Sequence, residues 1–91
     1  MNLYSIYDDV SESYVTNPMV YQTSGELIRD FKFMLPSFDA TQRARFRDCK
    51  LYLIGRYDVR SFASLEAYDP PRFVCALSPI VERNVEDACN G

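Results

Sequence analysis

The chain has 91 residues, room for one domain, and its 47% hydrophobic and 25% charged residues suit an ordinary soluble globular protein rather than a disordered one. Its formal net charge is −3. It contains no run of about 18 apolar residues to span a membrane, and Met1-Asn2-Leu3-Tyr4-Ser5-Ile6-Tyr7-Asp8-Asp9 lacks the basic and apolar regions of a secretion signal, so a cytoplasmic protein is expected.

Leu3 to Tyr7, rich in Tyr and Ile, reads as a first strand ended by Asp8-Asp9. Tyr14 to Tyr21 is extended, but Pro18 removes a ladder donor and confines any strand there to an edge or a bulge. Thr23-Ser24-Gly25-Glu26 fits the S/T-x-x-E pattern that caps a helix start. Leu27, Ile28, Phe31, Met34 and Leu35 then form one apolar stripe, and Pro36 stops the helix. Ser37 to Arg47 reads as a polar connection with at most a turn of helix over Ala40 to Phe46. Asp48 to Asp58 is a strand with two different faces. Leu51, Leu53, Gly55, Tyr57 and Val59 make one largely apolar row, while Tyr52, Ile54, Arg56, Asp58 and Arg60 mix rings, an aliphatic and charges. Phe62 to Ala67 alternates as a partner strand, Asp69-Pro70-Pro71 reads as a break, and Arg72 to Leu77 as a last strand. Ser78-Pro79 opens an acidic tail, residues 78–91, with the pattern of a weak amphipathic helix.

These elements predict an α+β fold: a small antiparallel β-sheet of about four to five strands with one amphipathic helix packed on one face, the domain covering residues 1–77. A sheet this short leaves edges to protect, and seven tyrosines with six phenylalanines exceed what one small core needs, so a homo-oligomer, a dimer or larger, is expected.

Enzyme chemistry finds little support. Without histidine, Ser-His and Cys-His nucleophile systems and the usual zinc sites are excluded, and glycines only at 25, 55 and 91 cannot write a phosphate-cradling loop. Asp39 with Asp48-Cys49-Lys50 imitates the Asp plus D-x-K grouping that holds magnesium in nucleases, and Asp8-Asp9 imitates a metal pair. Both are better read as surface acids bordering a strand. Cys49, Cys75 and Cys89 are an odd number with no close pair, so reduced thiols are expected, with Cys49 and Cys75 filling space as small hydrophobes. The expectation is a protein that is not an enzyme and takes no cofactor, no metal and no small-molecule substrate.

The charge is unevenly spread. Between Thr41 and Arg60 six cations, Arg43, Arg45, Arg47, Lys50, Arg56 and Arg60, stand against Asp48 and Asp58, a local excess of +4 that leaves −7 for the remainder. Cations that track phosphates beside a ring that stacks on bases, here Tyr52, are the chemistry of single-stranded nucleic-acid binding.

Leu3-Tyr4-Ser5-Ile6-Tyr7-Asp8, Ile28-Arg29-Asp30-Phe31, the segment from Asp48 to Asp58 and Pro71-Arg72-Phe73-Val74 together resemble the small nonstructural protein of gokushovirus-type microviruses, in register over residues 1 to about 77. The chain departs from that pattern at Cys49, where the family usually has an aromatic, and at Val59-Arg60-Ser61-Phe62, where it usually has a Thr-Gly turn. The resemblance implies a nonstructural protein of a single-stranded DNA phage, acting in the host cytoplasm and tied to DNA binding or genome replication. The resulting expectation is a protein that binds single-stranded DNA without base specificity, through Arg43, Arg45, Arg47, Lys50, Tyr52, Arg56 and Arg60, in genome replication or packaging. The alternative is a regulatory protein-protein interaction module of phage replication or assembly.

Overall fold

A computed structural model describes residues 1–58 and 60–82, with the side chains of 61–64 left aside. Five strands form one antiparallel sheet: β1 (Asn2–Asp8), β2 (Ser13–Tyr14), β3 (Met19–Tyr21), β4 (Cys49–Asp58) and β5 (Ser61–Ala76). β1 and β4 are central, β5 is one edge, and β2 and β3 share the other by pairing with opposite ends of β1. Pro18 falls in the gap between these two short strands, where a missing donor costs no ladder bond. Thr16 bridges the gap instead, its hydroxyl accepting the Ile6 amide at 3.1 Å.

The helix expected from the Thr23 cap is α1 (Ser24–Met34), and the Thr23 hydroxyl accepts the Glu26 amide at 3.3 Å. Pro36 turns its end into a 3-10 segment, Leu35–Ser37. The connection that follows is more ordered than its polarity suggested. It forms a second helix, α2 (Ala40–Arg47), because Asp39 and Gln42 make a complete capping box: the Asp39 carboxylate takes the Gln42 amide at 2.8 Å, and the Gln42 side chain takes the Asp39 amide at 3.0 Å. So α1 is joined by at least one further helix over the sheet among the described residues.

Leu27, Phe31 and Leu35 pack onto Tyr4, Ile6, Cys49 and Leu51, and each large apolar side chain so buried contributes about 1.5 to 3 kcal/mol. Phe46 brings α2 into the same layer by lying edge-on to Phe31 at 5.4 Å and stacked on Phe38 at 5.3 Å. Leu77 and Val81 are fully buried in this core, and residues 78–82 are helical from Ser78 onward, so the folded unit reaches at least Val81. Cys49 fills core space as expected and Cys75 packs half-buried against it, whereas Cys89 lies outside the described residues.

The expected break at Asp69-Pro70-Pro71 is no break. β5 runs through it as one edge strand, and the register absorbs the prolines: Leu53 faces Arg72 and Gly55 faces Ala67, so residues 68–71 stand against Ile54 alone. No helix among the described residues is long and apolar enough to cross a membrane.

Candidate nucleic-acid interface

Strand alternation gives β4 two faces. Cys49, Leu51 and Leu53 meet the helices, so Lys50 and Tyr52 project from the opposite side of the sheet. The described helices pack on the first face, and the second carries rings. Tyr52 lies edge-on to Tyr7 at 6.0 Å, to Tyr14 at 6.4 Å and to Phe73 at 5.9 Å, and Tyr7 meets Tyr14 at 5.1 Å. Register assembles this cluster from four strands: Tyr14 pairs with Tyr7, Lys50 with Tyr7, and Phe73 with Tyr52. Phe73 is 58% exposed and Tyr14 45%, so the rings present edges and faces to solvent. Partial burial beside two other phenols raises the Tyr14 hydroxyl's pKa and keeps it neutral.

The seven residues expected to bind do not form one patch. Arg43 is structural: its guanidinium donates to the carbonyls of Phe38 at 3.3 Å and Leu35 at 3.0 Å, pinning the turn between the helices. Arg45 approaches the Asp8 carboxylate at 4.0 Å on the helix side. Arg56 was expected on the face of Tyr52, but the register shift between Leu53 and Gly55 breaks the alternation and sets Arg56 opposite Asn2, in step with Tyr4 and Ile6. There it pairs with Glu66 at 3.1 Å. Arg60 sits in the β4–β5 turn, its amide donating to Asp58. Arg47 and Lys50 do come together, lining one surface depression at the end of β4 with Asp9, Asp48 and Ser78. Lys50 is bonded there to Asp9 at 3.1 Å, and that bond raises the lysine's pKa.

The D-x-K imitation dissolves in three dimensions. Asp39 caps the start of α2 and Asp48 its end, about 13.5 Å apart at 1.5 Å per residue over nine positions, too far to share an ion. Asp8 is engaged by the Val10 amide at 2.9 Å, which lowers its pKa, and Asp9 by Lys50. The Cys49 thiol is pushed up to about 11, chiefly by burial, and donates to the Arg45 carbonyl, so it is an inert packing group.

Sequence reasoning missed Tyr7, Tyr14, Phe73 and the groove beside them. That groove, of ≈ 290 Å³, is walled by Tyr14 and Pro18 on one side and Tyr68 and Pro71 on the other, over Ser5 and Ile54.

One protein-family model, described as Phage ORF5 protein, matches residues 1–80. No curated protein and no solved structure matches the chain.

Proposed function

Because the chain belongs to the Phage ORF5 protein family, we propose that it is a non-enzymatic, self-associating protein that binds single-stranded DNA without base specificity, in the host cytoplasm, during genome replication or packaging of a gokushovirus-type phage. The observation that carries this reading is the ring cluster of Tyr7, Tyr14, Tyr52 and Phe73 on the sheet face opposite the helices. Rings on an open sheet stack on unpaired bases of any identity, at about 1 to 3 kcal/mol per base. Arg47 and Lys50 stand at one end of the cluster to receive phosphates. With Arg43 spent on carbonyls and Arg45 and Arg56 beside acids, the cationic share is small. Two phosphate contacts on a single strand give a salt slope of about −1.4, so stacking rather than charge supplies most of the affinity.

Fluorescence anisotropy with an unstructured oligonucleotide at two salt concentrations tests this. Tyr52→Ala is expected to weaken binding about tenfold at both concentrations, and Lys50→Ala with Arg47→Ala to flatten the slope towards zero. Arg45→Ala with Arg47→Ala flattens it by about one phosphate's share, since of the two only Arg47 lines the depression beside Lys50. No binding by the parent at low salt refutes the reading. One observation favours the alternative of a regulatory protein-interaction module: Lys50, the cation set among the rings, already has Asp9 as its partner. In that case the same ring face is expected to bind protein, and oligonucleotide will not compete.

A further inference from the structure

We propose, resting on the single-strand reading above, that the groove beside the ring cluster seats one unstacked nucleobase. The groove exists because the β4–β5 register breaks where Tyr68 to Pro71 stand against Ile54 alone, which brings Tyr68 and Pro71 to one wall over the ring-bearing face. Its other wall, Tyr14 with Pro18, is held by Thr16, whose carbonyl accepts the Ser5 hydroxyl at 3.0 Å and whose own hydroxyl accepts the Ile6 amide.

Size and charge together select the occupant. At ≈ 290 Å³ the groove stands at the foot of the range for small-ligand sites, about 300 to 1,000 Å³, which suits one flat ring rather than a folded peptide. Its lining of rings, prolines, an isoleucine and two hydroxyls holds no ionised side chain, so it receives a neutral group and excludes a phosphate. The Arg72 guanidinium stands outside this lining, 4.1 Å from the centre of the Tyr68 ring, where its charge is engaged by that ring and steadies the wall. The Ser5 and Thr16 hydroxyls are engaged with each other and with the backbone, so the groove takes purines and pyrimidines alike. Tyr14 belongs to both the groove and the ring cluster, which makes the two a continuous track.

The test uses the full chain and a thymidine oligonucleotide in anisotropy at fixed salt. Tyr68→Ala is expected to weaken binding about tenfold and Tyr68→Phe to bind as the parent does, while an abasic oligomer of equal length binds all three alike. The chain contains no Trp, so Tyr68→Trp adds a single emitter, expected to be quenched on addition of the oligonucleotide. If Tyr52→Ala weakens binding and Tyr68→Ala stays within twofold of the parent, the groove assignment falls and the single-strand reading stands. If the parent binds no oligonucleotide, both fall. If Tyr68→Ala leaves DNA binding intact but turns an oligomer into a monomer in light scattering, the groove holds a second copy, and the nucleobase is overturned.

Discussion

Gly55 lets one methyl group test the architecture on which the ring face depends. A Cβ at this position would stand 2.5 Å from the Glu66 carbonyl oxygen and 3.4 Å from the Ala67 Cα, both backbone atoms of β5. Neither can rotate aside, so Gly55→Ala must push β5 outward by about 0.5 Å to reach even a tight contact. Forcing one extra carbon into a packed place costs about 1 to 3 kcal/mol, and at about 4 to 8 °C per kcal/mol for a domain of this size the Tm should fall by roughly 4 to 24 °C. Far-UV circular dichroism melts, checked for a single transition, measure it. Gly25→Ala is the control of opposite sign. Its Cβ would meet only the Thr23 hydroxyl, at an ordinary 3.7 Å, and the change removes glycine's helix penalty of up to about 1 kcal/mol. A Gly55→Ala protein that melts within 1 °C of the parent would refute the close β4–β5 approach, and with it the register that builds the groove.

Phe31→Ala removes a buried ring that touches Phe38 and Phe46 and should cost about 3 to 5 kcal/mol, leaving the chain largely unfolded at 37 °C by urea titration. Near-parent stability would sink the packing of helix on sheet. Cys49, its thiol pushed up to about 11, should resist alkylation at pH 8 until denaturant is added, and mass spectrometry of native and unfolded protein reads this directly. Above pH 9 the unfolded thiol ionises before the folded one, so stability should decline from there towards pH 11. Asp8 runs the other way. The Val10 amide holds its carboxylate below the usual range, so its contribution is present above about pH 4 and is lost as pH falls further. Asp8→Asn should therefore narrow the difference in Tm between pH 7 and pH 3.

Much of the fold was legible because its signals are local. Thr23 and Glu26, three residues apart, announce a helix start, Pro36 announces its stop, and the alternation from Cys49 to Asp58 announces a strand with one apolar face. Where reading failed, the deciding partner lay outside the window. α2 has no buried residue of its own, so no apolar stripe betrays it, and its evidence is the Asp39–Gln42 cap together with Phe46 reaching Phe31 from another element. Asp69-Pro70-Pro71 looks like a terminator, yet on an edge strand a register shift leaves these residues without ladder partners, so the missing donors cost no bond and β5 passes through.

The candidate face was harder to read, and the reason is geometric. The chain from Thr41 to Arg60 concentrates positive charge along the sequence, but a helix and a strand spend that charge in different places. α2 turns Arg43 inward to cap carbonyls and Arg45 towards Asp8, while β4 flips its alternation at the bulge before Arg56. Proximity in sequence therefore overstated proximity in space. For the rings the error had the opposite sign. Tyr7, Tyr14, Tyr52 and Phe73 are scattered over 67 positions of the chain and become neighbours only through strand pairing, which places Tyr7 between Tyr14 and Lys50 and sets Phe73 against Tyr52. Aromatic excess was visible in the composition, and its clustering was not. What this face binds should therefore depend less on salt than the arginine count suggests and more on the four rings, whose removal one by one separates stacking from simple charge attraction.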